Sequence, residues 1–332
     1  MKVLFCIRGD YYRNFAGDSM QVIKTADYLR KIGVTVDINN GYINDYSDYD
    51  IVHLFNLTTM GETYKYYKNA RKYKKTIVIS PLYWNLKKYL NYEKDYDGIK
   101  LWDKCKSYRY EILKGCKMIY TNSNMEGELL KREFKRHFPY TVIYSGVEVE
   151  NDDVPLYNFK ERYKLDNYIL CVGKICKIKN QLTLAEICKD LALELVLIGN
   201  ITDKEYYNSC TKLPNVTYLG FMDSYNIYNA YRFTKVHVLP SFIETPGLSS
   251  LEAAASGCNI ISTEEGSAKE YFKDMAIYCN PYDKYSIGKG IKMAIKKAKD
   301  HNLKNYVLNN YSWEKSTMEL YNSYKGLITV DG

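Results

Sequence analysis

Short apolar runs alternate with amphipathic stretches along nearly the whole chain, and the alternation runs twice. In the first half the runs are KVLFCI, VTVDI, DIVHLF, TIVIS, KMIYT and YTVIYS; in the second they are YILCV, LELVLIG, NVTYLG, KVHVLP, NIIST and MAIYC. Stretches of helical period, such as SMQVIKTADYLRKIG and QLTLAEICKDL, separate most of them. Apolar runs bounded by turns read as strands buried on both faces, and a helix between successive strands makes them parallel. The expected class is α/β, with two Rossmann-like domains whose parallel sheets face a central cleft. A length of 332 residues is large for one core and ordinary for two.

The alternation breaks at GVEVENDDVPLYNFKERYKL, residues 146 to 165, which is polar and contains Pro155. The boundary falls there, giving domains at 1–148 and 149–311. The closing stretch YSWEKSTMELYNSYKGLI reads as a helix over 312–328 that packs back on the first domain. Ser312 is its expected N-cap, with Glu314 in the first turn.

No apolar run approaches the ~18 residues that cross a bilayer, and VLFCI near the start is too short for a signal peptide. The expected compartment is the cytoplasm. Nine scattered cysteines without a C-x-x-C pair argue against a disulfide framework and a zinc knuckle. A net charge of +8 suits a nucleic acid, an anionic membrane or a phosphorylated substrate. No nucleic-acid recognition motif accompanies it. Neither G-x-G-x-x-G nor G-x4-G-K-[ST] follows a strand, which counts against nicotinamide enzymes and P-loop NTPases.

The chemistry of a doubly wound fold lies at its strand-to-helix turns. One of these reads SFIETPGLSSLEAAASG, residues 241 to 257, after the strand VHVLP. Pro246 suits the first helical turn, Gly247 admits a ligand close to the backbone, and Gly257 closes the helix. The N–H groups of Gly247, Leu248 and Ser249 then point outward at the positive end of the helix dipole, a site for a phosphate. Glu252 lies further along the helix, placed to accept from a ribose diol. Glu244 precedes the helix, within reach of sugar hydroxyls. An isolated pair of glutamates at this spacing is more often a solvated strand-loop-helix; its companion turns change that balance.

The second turn is CVGKICKIKNQLTLAEIC. Gly173 turns after the strand, and Lys174 and Lys179 flank the next helix, where two ammonium groups can clamp a diphosphate. The third, NFAGDSMQVIKTADYLRKIG, offers Gly17 as a point of close backbone approach from the other domain. Solvated lysines and an ordinary loop glycine are the plainer alternatives.

Together these segments resemble the GT-B glycosyltransferases of family 4, also called group 1 or glycogen-synthase-like transferases. The resemblance is strongest in VGKICKIKN, NVTYLGFMDSYNIYNAY, VHVLPSFIETPGLSSLEAAASGCNIIST and YSWE. It implies that Lys174 and Lys179 bind the donor diphosphate, Glu252 the nucleotide ribose and Glu244 the donor sugar. Backbone near Gly247 and Leu248 meets the distal phosphate. GFMD, with Phe221 and Met222, lies beside the base. The implied reaction is retaining transfer of a sugar from a UDP- or GDP-type nucleotide sugar to a glycan or lipid-linked acceptor in surface polysaccharide or glycolipid synthesis. No cofactor and no metal is implied, because lysines and a helix terminus stabilise the leaving diphosphate. A leaving-phosphate oxygen takes the acceptor's proton on the same face.

One departure stands out. Many members carry a histidine after the fourth strand of the first domain, where this chain has Ser80-Pro81. His53 and His237 fall inside strands and read as structural. Tyr83 and Trp84 are acceptor-stacking candidates, with core packing equally open. Two D-x-D spellings, Asp48 to Asp50 and Asp95 to Asp97, are weak metal candidates. KYYKNARKYKK, residues 65 to 75, has six basic residues and no acid, and offers a basic, tyrosine-interleaved face to an anionic membrane. A solvated basic face is the plain alternative. The rival functions are a sugar-nucleotide epimerase or phosphorylase on the same fold, and a non-catalytic sugar-binding protein.

Overall fold

The computed structural model describes residues 1–58, 60–148, 155–299 and 301–329. It divides into two compact units, Met1–Gly146 with Ser312–Gly332, and Val147–Tyr311. Residues 149–154, where the linker was expected, lie outside the described residues.

Each apolar run named above contains a strand. In the first unit these are β1 (Lys2–Cys6), β2 (Thr35–Asn39), β3 (Ile51–Phe55), β4 (Thr76–Ser80), β5 (Met118–Thr121) and β6 (Tyr140–Val142). They form one parallel sheet in the order β2-β1-β3-β4-β5-β6. Because side chains alternate across a strand, each face receives its own core. Leu4, Cys6, Val52, Leu54, Ile77 and Ile79 face one layer. Val3, Phe5, Ile51, Phe55 and Val78 face the other, with Val22, Ala26 and Leu29 of the helix Gly17–Lys31.

Leu320 and Tyr324 of the closing helix Trp313–Thr329 join that second layer. Ser312 caps this helix, its Oγ accepting from the Lys315 N–H at 3.2 Å. His53, inside β3, meets the Tyr324 hydroxyl through Nδ1 and Ser80 Oγ through Nε2 at 2.9 Å. Burial pushes its pKa down to about 3, so the ring is neutral.

The helix Met60–Lys72 corrects one expectation. Lys65, Lys68, Arg71 and Lys72 are exposed, but Tyr66 and Tyr67 are buried. Helical spacing turns those tyrosines onto the sheet, so the outward face is basic without them. Three of the acidic D-x-D residues have local structural roles. Asp50 accepts from the Lys2 N–H, Asp95 caps the helix Tyr96–Lys104 through the Gly98 N–H, and Asp97 pairs with Lys100.

The second unit contains β7 (Tyr168–Val172), β8 (Glu194–Ile198), β9 (Val216–Tyr218), β10 (Val236–Leu239), β11 (Asn259–Thr263) and β12 (Ile277–Cys279). Their order is β12-β11-β10-β7-β8-β9, all parallel. Counted within the unit and read from the β9 edge, this is the 3-2-1-4-5-6 order of a dinucleotide-binding fold. The direction in which successive strands are added reverses between β7 and β10. Ligands of such sheets bind beyond the carboxyl ends of those two strands.

Candidate active site

The loops leaving β7 and β10 carry the lysines and glutamates singled out in the sequence. After β7, Gly173 and Lys174 lead to a short turn of 3-10 helix, Lys177–Lys179, and then to the helix Gln181–Asp190. Lys174 is half-buried, and its carbonyl accepts from Gln181 Nε2 at 2.7 Å, which ties the loop to the helix it precedes.

Asn180 stitches the two loops together. It is buried and left-handed, with φ +60°. Its Nδ2 donates to the Pro240 carbonyl at 3.2 Å, beyond β10, and to the Pro281 carbonyl at 2.9 Å. The Phe242 N–H donates to the Ile178 carbonyl at 2.9 Å, a second tie between the same loops. Between these ties Lys179 Nζ donates to Glu244 Oε1. The side chain of Lys179 is 23% exposed and that of Glu244 6%. Burial alone would lower the Lys179 pKa, but the Glu244 carboxylate more than reverses this and raises it. The ammonium is therefore charged throughout the physiological range.

Glu244 is held by its backbone as well. Its N–H donates to the Glu265 carbonyl at 3.1 Å, and its own carbonyl accepts from the Ser267 N–H at 3.0 Å. Gly266 lies between those partners at φ +127°, and a Cβ there would stand 1.9 Å from the Glu244 carbonyl oxygen. Only glycine admits this approach.

The helix after β10 spans Leu248–Ala255, with Gly247 as its N-cap at φ +88°. Pro246 therefore precedes the cap and does not enter the first turn, a correction to the sequence reading. The left-handed backbone of Gly247 makes Leu248 the first helical residue, two later than Pro246 at N1 would require. The Ser250 N–H donates to the Gly247 carbonyl at 2.9 Å. Among the described residues, the amides of Gly247, Leu248 and Ser249 have no protein partner. A Cβ on Gly247 would lie 3.3 Å from Glu244 Oε2. The structure thus gathers Lys179, Glu244 and the helix tip at Gly247 in one place. Glu252 sits in the same helix, half-buried, and receives the Tyr231 hydroxyl at 3.4 Å. Gly257, at φ +88°, follows the end of the helix as expected.

Phe221 is exposed and Met222 half-buried in the segment between β9 and the helix Ser224–Phe233. Gly17 is the first residue of its helix in the first unit. The acceptor-side pair divides. Tyr83 is fully buried, its ring stacked on Trp102 and its hydroxyl donating to Glu133 at 2.8 Å. No face of that ring is open to a sugar, so packing is its role and the acceptor assignment is corrected. Trp84 is half-buried at the edge of the same core.

Two residues of this region escaped the sequence reading. Asn180 carried a usable signal, since asparagine is among the few side chains that accept a left-handed backbone between two helices. Tyr231 carried none, because it sits on an amphipathic helix among many tyrosines.

Two six-stranded parallel sheets, the second in dinucleotide-binding order with its charged groups at the strand reversal, define a GT-B glycosyltransferase fold. Residues 157–309 match the family of glycosyl transferases group 1. An uncharacterized glycosyltransferase of Methanocaldococcus jannaschii is 25% identical over 236 residues, covering 63% of this chain and 60% of that protein. The solved structure of a sucrose-phosphate synthase from Thermosynechococcus elongatus is similar at a TM-score of 0.82 and 15% identity, over 99% of this chain and 100% of that one. Anabaena HepE in complex with UDP-glucose is similar at a TM-score of 0.76 and 14% identity, over 98% of this chain and 100% of that one.

Proposed function

We propose that this chain is a retaining glycosyltransferase of family 4 that moves a sugar from a nucleoside-diphosphate sugar to a glycan or lipid-linked acceptor. The observation that carries the reading is the convergence of Lys179, Glu244 and the open helix tip at Gly247 beyond the strand reversal. A departing nucleoside diphosphate gathers negative charge as the glycosidic bond breaks. Lys174, Lys179 and the amides of Gly247 and Leu248 stabilise that charge from fixed positions, the task a divalent metal performs elsewhere. Glu252 takes the ribose diol and Glu244 the transferred sugar. Phe221 and Met222 flank the base. A leaving-phosphate oxygen accepts the acceptor's proton on the face it departs from, so no histidine is needed.

The HepE complex contains a UDP-sugar, which makes UDP-sugars the first donors to try. The acceptor belongs to surface polysaccharide or glycolipid synthesis, and the basic face of Met60–Lys72 rests peripherally on anionic lipid. No helix among the described residues is long and apolar enough to cross a membrane.

The test is incubation with a panel of UDP-, GDP- and ADP-sugars, with and without a chelator. Release of nucleoside diphosphate with unchanged anomeric configuration, insensitive to the chelator and lost in Lys179→Ala, is expected. An inverted product, an epimerised donor, or no turnover of any donor by folded protein would sink the reading.

A further inference from the structure

Glu252 does not stand alone on its helix. Tyr231 reaches it from the neighbouring helix Ser224–Phe233, its hydroxyl donating to Glu252 Oε2 at 3.4 Å. The Tyr231 side chain is held tightly. The residue is 1% exposed, and its ring packs edge-on against His237 at 5.7 Å. Its carbonyl accepts from Cys258 Sγ at 3.1 Å. His237 is itself fixed, its Nε2 accepting the Val172 N–H of β7 at 3.3 Å. Burial, then the Glu252 carboxylate, push the Tyr231 phenol well above its ordinary pKa, so it remains a donor. A long acid side chain on the second turn of a helix has several staggered rotamers, and ordering it costs entropy. A buried phenol that donates to one carboxylate oxygen removes part of that choice in advance.

We infer that Tyr231 is the positioning residue for Glu252, aiming its carboxylate at the ribose diol and thereby setting how strongly the site prefers ribonucleotides to 2′-deoxyribonucleotides. The inference rests on the reading that Glu252 binds the ribose. It also assigns the β7-His237-Tyr231 chain a purpose: the strand that leads to the lysine loop braces the residue that aims the ribose acid.

Calorimetric titration of the full chain with UDP, GDP and ADP, each beside its 2′-deoxy form, tests this. For the base that binds best, the wild type is expected to favour the ribo form. Tyr231→Phe keeps the ring and removes only the hydroxyl. It should weaken ribo binding about three- to tenfold, as loss of one hydrogen bond to a fixed acceptor does, and weaken deoxy binding, which keeps only the 3′-hydroxyl, by less, so the preference shrinks. Glu252→Ala should abolish the preference. An intact preference in Tyr231→Phe, with Glu252→Ala having lost it, overturns the inference and leaves the ribose reading standing. An intact preference in Glu252→Ala overturns the ribose reading and the inference with it. Thermal unfolding of each variant checks that the comparison is between folded proteins.

Discussion

Lys179 and Glu244 form an ion pair across the strand reversal of the second unit, joining the loop that leaves β7 to the loop that leaves β10. The pair is shielded from water, and it is built into the same ties that fix the loops, Asn180 to Pro240 and Phe242 to Ile178. A diphosphate arriving at Gly247 would meet an ammonium already held in place.

Replacing one member of this pair should therefore affect stability and turnover together. Lys179→Ala leaves the Glu244 carboxylate buried without its partner, which costs about 3 kcal/mol, the low end for buried pairs because Lys179 keeps some exposure. Restoring neutrality with Glu244→Gln in the same chain should recover most of the stability but no donor turnover. Urea unfolding beside a donor-turnover assay separates the two effects.

Asn180 tests how far the loops depend on one side chain. Asn180→Ala loses both amide bonds and forces a left-handed backbone on a residue with a Cβ. Asn180→Gly loses the bonds but keeps the backbone freedom. The glycine variant should be more stable than the alanine variant by about 1 kcal/mol, the cost of that conformation. Urea midpoints of the pair measure it.

Gly266→Ala should be among the most damaging small substitutions in the chain. Its Cβ would fall 1.9 Å from the Glu244 carbonyl oxygen, a backbone atom that cannot rotate away. A loss of about 2 kcal/mol or more is expected from overpacking and the positive φ together. Donor turnover should fall with it, because Glu244 must move. Thermal unfolding and turnover of the soluble fraction measure both.

His53 and His237 predict an acid-labile protein. Burial holds both near a pKa of about 3, below the ordinary 6.5. Below pH 6.5 the unfolded chain binds protons there that the folded chain refuses. Their stability contribution is thus complete above 6.5 and lost as pH falls toward 3. Each should give a slope of about 1.4 kcal/mol per pH unit in that window. His53→Gln should remove one of the two slopes when urea unfolding is compared at pH 7, 6 and 5.

The basic face of Met60–Lys72 should respond to charge and not to lost aromatics. Reversing Lys65, Arg71 and Lys72 to glutamate should abolish co-sedimentation with anionic vesicles, since each lysine or arginine near such a surface contributes about 1 kcal/mol. Equal partitioning of the wild type between anionic and neutral vesicles would remove the membrane proposal.

The strands, their parallel pairing and the location of the charged turns were legible because each rests on a local pattern. Apolar runs give buried strands, and a helix between them gives parallel pairing. What escaped were relations that only the fold creates. Nothing in KIKNQ says that Asn180 reaches Pro240 and Pro281. Nothing in the E-x7-E spacing says that Lys179 will be neutralised by Glu244, or that Tyr231 stands behind Glu252. Pro246 was placed two positions too far into the helix because Gly247, next to it, adopts a backbone that proline's preference at helix starts does not anticipate. Tyr83 stayed open between stacking and packing because an aromatic after a strand looks the same whether Trp102 or a ligand covers it.

The closing helix Trp313–Thr329 completes the layer begun by β1 and β3, through Leu320, Tyr324 and the bond from Tyr324 to His53. On the ribosome, then, the first unit emerges long before the segment that seals it, and Phe5, His53 and Tyr120 must wait, uncovered, while all of the second unit is made. Expressing residues 1–148 by themselves would make that interim state permanent, with a greasy flank inviting aggregation.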